Sequence, residues 1–154
     1  MLTDKHINFA QRLLHRKFKT ICGFQSTLTL SKSRKIPVKS ASNTLQIMHF
    51  RGCHWISVST IKSYPKVILY DSIYSSIDEG TMKILKQMFG VEVEVQIGKG
   101  PKQDGTADYG LFAIVTCVSL ASSGILSKNF DQSKMREHLV ECFKNFNLIP
   151  FPHN

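Results

Sequence analysis

Several features of common protein classes are missing from this sequence of 154 residues. No stretch reaches the roughly 20 apolar residues that a transmembrane helix needs, and even the weakly polar run from Leu111 to Leu126 is too short. The N-terminus carries Asp4, Lys5 and His6 before any apolar run, unlike a secretory signal peptide. We therefore expect no membrane contact and an intracellular location, nuclear or cytoplasmic.

Paired cysteines are also missing. The four cysteines lie singly at positions 22, 53, 117 and 142, with no CxxC motif. Scattered thiols of this kind favour a reducing compartment over a disulfide-stabilised scaffold. Cys53, His54 and His49 could be considered as zinc ligands, but their spacing matches no usual ligand set. The sequence thus predicts neither a metal site nor a cofactor.

Acidic residues are scarce in the first third of the chain. Residues 1–51 contain ten lysines and arginines but one acid, Asp4, whereas residues 52–154 are balanced. Such segregated charge could contact nucleic acid or an acidic protein, so residues 5–51 are candidates for a weak nucleic-acid contact. A solvated loop around Ser31–Lys39 is the simpler interpretation, because no aromatic residues alternate with the basic ones to form a stacking platform.

The apolar pattern indicates one domain of the α+β class, since 42% of the residues are hydrophobic. Periodicity predicts helices over Asp4–Lys17, Ile77–Phe89 and Asp131–Phe146, an apolar helix that follows Asp108, and strands over Leu45–Phe50, Trp55–Ile61, Lys66–Tyr70 and Val91–Ile97. This order contains no βαβ alternation. The helix after Asp108 is apolar on nearly every side, so we expect it inside the molecule.

Three separated residues have the types that a hydrolytic site needs, and a fourth, a tyrosine, stands in the place of the nucleophile. They are His54 in CHWISVS, Asp71 in VILYDS, and Gln103 and Tyr109 in QDGTADYGLF. At the first turn of a buried helix, backbone N–H groups and the helix dipole favour an anionic nucleophile. His54 would take the proton, Asp71 would hold the imidazole tautomer, and Gln103 would donate to the oxyanion.

These motifs resemble those of the Ulp/SENP family, cysteine proteases that process ubiquitin-like modifiers such as SUMO and remove them from lysine side chains. The opening MLTDKHINF, the HW and YDS motifs, and QDGTADYGLF are each similar to family segments. The sub-group encoded by transposable elements in animals is the most similar, through FAQRLL, GLFAI and DQSKMREHL followed by PFP. The resemblance implies a papain-like, adenain-type fold, with a central mixed or antiparallel sheet and a buried nucleophile helix, as a single domain over residues 1–154.

The resemblance also implies a partner and residue roles. The partner would be a ubiquitin-like modifier, whose C-terminal Gly-Gly would lie under Trp55. Asp4, Asp108 and Gly110 would contribute to modifier binding, with Asp108 as the N-cap of the nucleophile helix and Gly110 allowing its close approach to a strand.

Two positions depart from the family pattern: Tyr109 takes the place of the nucleophilic cysteine, and Met1 that of a second tryptophan. A phenol, with a pKa of about 10, is almost wholly protonated at neutral pH, and its ring would fill the space meant for the scissile carbonyl. Cys117 lies about 12 Å further along the same helix in apolar surroundings. Cys53 should face away from His54 on a strand. Neither thiol is placed to substitute.

Three functions remain open from the sequence. The first is a catalytically inactive Ulp/SENP-like domain that still holds a modifier tail. The second is an active protease in which Tyr109 is an engineered or allelic change. The third is a nucleic-acid-associated module that acts through the basic first third of the chain.

Overall fold

A computed structural model describes residues 1–27, 41–50 and 54–154, so the predicted loop at Ser31–Lys39 and Cys53 lie outside the described residues. The helices are α1 (Asp4–Lys17), α2 (Glu79–Phe89), α3 (Tyr109–Ser123) and α4 (Gln132–Lys144). The strands are β1 (Cys22–Gly23), β2 (Thr44–Phe50), β3 (His54–Ser59), β4 (Lys66–Tyr70) and β5 (Glu94–Ile97), and a 3₁₀ turn spans Ala41–Asn43.

The five strands form one mixed sheet in the order β1-β2-β3-β4-β5. Strand β3 is antiparallel to β2 and β4, whereas the outer pairs, β1–β2 and β4–β5, are parallel. Because parallel strands need a crossover, α2 connects β4 to β5 as a βαβ unit. The prediction of no βαβ alternation was therefore wrong at this point, while the α+β class with a mixed sheet is confirmed.

Helix α3 is the buried helix that its composition predicts. Ten consecutive residues, 109–118, are buried, and the helix packs on the sheet face that α1 also covers. The Ser57 hydroxyl on β3 donates to the Ala113 carbonyl of α3 across 2.9 Å. The bond gives the buried hydroxyl a protein partner in place of water, and it fixes α3 against the central strand.

Helix α1 is anchored to the sheet through a buried amide. Gln11 is 1% exposed, and its carbonyl oxygen accepts from the Ile47 backbone N–H at 3.0 Å and from the Gln46 amide at 2.9 Å. The helix has the predicted bounds, and the Thr3 backbone N–H donates to Nδ1 of His6 at its start. The first residues of the chain are thus held beside α3.

The opposite face of the sheet is covered by α2. Its apolar residues Leu85 and Met88 complete a second core with buried side chains from β2, β3 and β4, namely Met48, Phe50, Ile56, Val58, Val67 and Leu69. Asp78 caps the helix by accepting from the Thr81 backbone N–H at 3.4 Å, and Gly90 ends it with a positive φ of 112°. The helix therefore begins two residues later than predicted.

Two other predicted boundaries were too generous. The strand predicted from Val91 begins at Glu94, and Val91 is 78% exposed in the preceding turn. The final helix ends at Lys144, and Phe146, the last residue of the predicted helix, is 66% exposed with a φ of 52°. In both cases the apolar pattern of the sequence includes a residue whose backbone is already turned away from the core.

Candidate active site

The structure brings His54 and Asp71 together as predicted. His54 is the first residue of β3, and Asp71 follows the last residue of the antiparallel neighbour β4. Nε2 of His54 lies 2.7 Å from Oδ1 of Asp71, and each residue is 4% exposed. This buried pair joins the ends of two adjacent strands beside the start of α3.

Asp71 is held in its ionised form. Burial works against the charge, but hydrogen bonds from His54 and from the backbone N–H groups of Ile73 and Tyr74 outweigh it and lower the pKa of Asp71. The two backbone bonds are 2.8 and 3.0 Å long and converge on the same Oδ1. Because an ionised carboxylate only accepts hydrogen bonds, the imidazole must donate from Nε2, which leaves Nδ1 for a reacting partner.

Tyr109 occupies the other side of the imidazole. It is the first residue of α3 and is 6% exposed, and its ring meets that of His54 edge-on, with centroids 4.8 Å apart at 63°. Its hydroxyl donates to Sδ of Met1 at 2.8 Å. Residues 1 and 109 of the chain therefore contact each other, and the phenol proton points to a thioether.

Tyr74 is a site residue that the sequence reasoning missed. Its ring lies 5.3 Å from the His54 ring at 84°, so two tyrosines flank the imidazole. A detectable signal was present, because an aspartate that ends a strand commonly accepts from backbone N–H groups two and three residues later. That turn at Asp71 determines where the residue at position 74 lies.

Gln103 approaches the site from the loop before α3. Its backbone N–H donates to the Ser72 carbonyl at 3.2 Å, and its side-chain oxygen accepts from the Ser72 hydroxyl at 2.5 Å. The amide nitrogen donates to the Gly105 carbonyl at 3.0 Å. Since a primary amide has two N–H donors, one of them remains for another acceptor.

Asp108 precedes α3 as predicted but does not cap it through its side chain. Its carboxylate instead accepts hydrogen bonds from Arg136 and from the Gln132 amide, both on α4. Gln132 also bonds both backbone groups of Asp104, at 2.8 and 3.0 Å. The loop that carries Gln103 is therefore fixed by the start of α4, a role that the sequence did not indicate.

Trp55 is 3% exposed and is covered on two sides. The imidazole of His49, its cross-strand neighbour on β2, lies against the indole with ring centroids 3.7 Å apart. A methyl group added at Gly110 would lie 3.1 Å from Cδ1 of Trp55 and 3.2 Å from Cβ of Leu2. Gly110 therefore permits the close approach to β3 that the sequence predicts.

His49 is also influenced by Asp4. Burial lowers the pKa of His49, and the negative charge of Asp4 partly offsets the shift. Asp4 is half-buried at the start of α1. The predicted modifier-binding residues Asp4 and Trp55 are thus linked in space by a histidine.

A cavity of about 10 Å³ lies behind the site, between Trp55, Asp71, Ser72, Tyr109 and further residues of α3. That volume is about what one water molecule needs and is far too small for an amino-acid residue. An extended peptide therefore cannot occupy this cavity.

Cys117, the cysteine of α3, is poorly suited to act as a nucleophile. Burial raises the pKa of Cys117 to about 12, although a hydrogen bond with Ser57 opposes the shift. The described cysteines 22, 117 and 142 are free. Within residues 1–27, 41–50 and 54–154, no three histidine, cysteine or acidic side chains converge as metal ligands.

Solved structures of several proteases have the same architecture. The C-terminal Ulp1 protease domain in complex with Smt3, the yeast ortholog of SUMO, is 13% identical over 94% of this chain and 77% of its own, with a TM-score of 0.69. The SUMO protease Ulp1 with its catalytic cysteine oxidised to a sulfonic acid gives a TM-score of 0.71 at 13% identity, over 94% and 78% of the two chains.

A bacterial protein gives a weaker match. The Xanthomonas campestris effector XopD, solved bound to ubiquitin, is 10% identical over 99% of this chain and 85% of its own, with a TM-score of 0.54. The chain has an Ulp1-like fold. No protein-family model matches the chain, and no curated protein sequence does. At these identities the likeness is one of fold, and it confirms the predicted papain-like architecture.

A membrane span was not expected, and among the described helices none combines the length and apolar character needed to cross a bilayer.

Proposed function

We propose that this domain is a catalytically inactive Ulp/SENP-type domain that binds the C-terminal tail of a ubiquitin-like modifier. The observation that carries the proposal is the buried His54–Asp71 pair, 2.7 Å between Nε2 and Oδ1, with the ring of Tyr109 at the start of α3 beside it. The Ulp1-like fold supports the class of partner, because neighbours with this fold were solved with Smt3 and with ubiquitin.

Three features argue against peptide cleavage by the chain as it stands. The ring of Tyr109 lies against the imidazole that should activate a nucleophile. Its hydroxyl donates to Met1. The thiol of Cys117, eight residues further along α3, has its pKa raised to about 12 by burial, so it supplies almost no thiolate at neutral pH.

The tail would bind on the outer side of the site, where Met1 and His49 now lie. Met1 is 72% exposed and is held at the site by one hydrogen bond from Tyr109, so its displacement costs little. His49 is exposed on β2 and covers Trp55. Withdrawal of these two side chains would uncover the indole for a Gly-Gly tail.

The remaining predicted residues would support this binding mode. Asp4 is a half-buried acid at the start of α1, suited to fix a basic or amide group of a modifier. Asp108 would act indirectly, because Gln132 and Arg136 hold its carboxylate and so fix the start of α3. Gly110 keeps the first turn of α3 against Trp55. The free N–H of Gln103 would donate to a tail carbonyl instead of an oxyanion.

The test is a calorimetric titration of the chain with SUMO and with ubiquitin, each with its full Gly-Gly terminus and with those two residues removed. We expect micromolar binding of at least one full-length modifier, at least about ten-fold weaker binding without Gly-Gly, and no cleavage of a modifier–lysine isopeptide. Absence of binding up to high micromolar concentrations, or equal binding of both forms, would contradict the proposal.

The retained histidine–aspartate pair favours one alternative, an active protease in which Tyr109 replaces a cysteine by an engineered or allelic change. A buried, ionised Asp71 that orients His54 would also serve proton transfer from a nucleophile at position 109. The sequence of the parent gene decides between the two, because a cysteine codon at position 109 would make the inactive chain a variant.

A further inference from the structure

A second surface of the molecule combines positive charge with aromatic rings. A groove of about 360 Å³ on the outer side of α1 is lined by Phe9, Arg12, His15, Arg16 and Phe24, which we call the α1 groove. Phe24 comes from the segment after β1, so the groove forms only when the chain folds. From the sequence we expected no aromatic residues among these basic ones. The structure places Phe9 and Phe24 beside them, so that expectation was wrong.

The cations of the α1 groove are unneutralised. Arg12 and Arg16 are exposed one turn apart on α1, and neither has an acidic partner in the part of the chain that the structure describes. Asp4 is the single acid in residues 1–27, which also carry Lys5, Lys17 and Lys19. A surface with this charge attracts a polyanion.

Aromatic rings extend the α1 groove toward the end of α4. The Phe9 ring packs edge-on against Phe143 at 4.8 Å and against Phe146 at 6.0 Å, and the Arg12 guanidinium lies 5.7 Å from the Phe9 centroid. Lys17 fixes this arrangement, because its ammonium donates to the Asn147 side chain and to a backbone carbonyl just beyond it, at 2.9 and 2.8 Å. One continuous surface results.

Phe146 is unusual in this surface. It is 66% exposed, and its φ of 52° lies in the left-handed region, where helix ends normally place glycine or asparagine. Its ring contacts Phe9 and leaves most of its surface exposed to solvent. Such backbone outliers are typical of ligand-contacting positions.

We propose that the α1 groove, together with Phe146, binds single-stranded nucleic acid. Arg12 and Arg16 would contact successive phosphates, and an unpaired base would stack on the exposed ring of Phe146. A peptide of acidic residues alone would use the cations but has no planar group to stack on the ring. A duplex keeps its bases stacked within the helix, out of reach of Phe146. This proposal involves neither His54 nor Tyr109 and stands or falls separately from the modifier-binding function.

The experiment measures fluorescence anisotropy of a labelled 20-nucleotide oligothymidine from about 50 to 200 mM salt. The double variant Arg12→Ala/Arg16→Ala should bind at least about ten-fold more weakly, with a salt slope smaller by roughly 1.4 for two lost phosphate contacts. Phe146→Ala should weaken binding about five-fold or more without changing that slope. All three residues are exposed, and thermal melting verifies that the variants fold.

The matched control is Lys83→Ala/Lys86→Ala, which removes the same charge from exposed positions on α2. We expect it to change the affinity less than about two-fold. The proposal is overturned by an equal loss in both double variants or by no effect of Phe146→Ala. Stronger binding of a 20-base-pair duplex, competition by polyglutamate or anionic phosphatidylserine vesicles at equal charge, or no binding at 50 mM salt would also overturn it.

Discussion

The ring of Tyr109 lies edge-on to the imidazole of His54, with centroids 4.8 Å apart, while its hydroxyl donates to Met1. The imidazole is nonetheless oriented by Asp71. The position therefore has an imidazole oriented by a carboxylate beside a phenol whose hydroxyl donates to a thioether. That relationship leads to the first prediction.

Restoration of a cysteine should create protease activity. In Tyr109→Cys, a thiol replaces the ring at the first turn of α3, where the helix dipole and Nδ1 of His54 both favour a thiolate. We expect release of a fluorophore from a modifier C-terminus at least about 100-fold faster than with the unmodified chain. The double variant Tyr109→Cys/His54→Ala should lose this gain. Equal rates in the two variants would mean that His54 does not act as a base.

Removal of His49 should strengthen modifier binding. The imidazole covers the indole of Trp55, and an aromatic pair of this kind is worth about 0.5–1.5 kcal/mol, which corresponds to roughly two- to twelve-fold in affinity. His49→Ala should lower the dissociation constant of a Gly-Gly-terminated modifier by about that factor. His15→Ala, on the exposed side of α1, is the control and should have no effect. Weaker binding by His49→Ala would show that the imidazole itself contacts the tail.

Asp71 should make stability depend on pH in the acidic range. Its folded-state pKa lies below its ordinary value of 3.8, so the folded chain binds fewer protons than the unfolded chain. The stabilisation by ionised Asp71 is complete above pH 3.8 and disappears as the pH falls through the pKa of Asp71 in the folded state. At pH 7, Asp71→Asn should lower the free energy of unfolding by about 1–3 kcal/mol.

Urea denaturation of both proteins from pH 7 to pH 2 checks this sign. The difference in unfolding free energy between the unmodified chain and Asp71→Asn should shrink as the solution becomes more acidic than pH 3.8. A difference that stays constant across the range would indicate that the charge of Asp71 contributes nothing.

Two glycine substitutions at the same helix position should have opposite effects. Gly110 is the second residue of α3, where a Cβ would lie 3.1 Å from Trp55 and 3.2 Å from Leu2. Gly110→Ala should lower the free energy of unfolding by about 1–3 kcal/mol, partly offset by the higher helix propensity of alanine. At the second position of α2, the Cβ of Gly80→Ala would contact only the capping oxygen of Asp78, at 3.2 Å. That side-chain oxygen can shift by a few tenths of an ångström, so this substitution should stabilise by up to about 1 kcal/mol. Chemical denaturation measures both, and a stabilising Gly110→Ala would contradict the close packing.

Cys117 should resist alkylation in the folded chain. It is fully buried, and its pKa is raised to about 12, whereas Cys22 is half-buried on β1. Treatment with iodoacetamide at pH 8, followed by peptide mass spectrometry, should label Cys22 well before Cys117. After unfolding in guanidinium, both should react at similar rates. Rapid labelling of Cys117 in the folded chain would mean that this thiol is accessible and could act as a nucleophile.

Much of the fold could be predicted from local pattern. Helix α1, the buried helix α3 and the strands around His54 and Asp71 follow from periodicity and cap residues, which act within a few residues. The boundary at Val91 and the exposure of Phe146 could not be predicted, because an apolar residue continues the pattern whether or not the backbone still faces the core.

The sequence by itself determined which chemical groups the site contains and their order: a histidine, a carboxylate, a glutamine, and a phenol at the start of an apolar helix. Only the tertiary structure decided what each group contacts. It directed the Tyr109 hydroxyl to Met1, 108 positions away, placed His49 over Trp55, and brought Phe146 against Phe9. The first and third contacts join residues far apart in the chain, and the second depends on the register of β2 and β3. Packing of the whole core selects these contacts, so the local sequence pattern does not encode them.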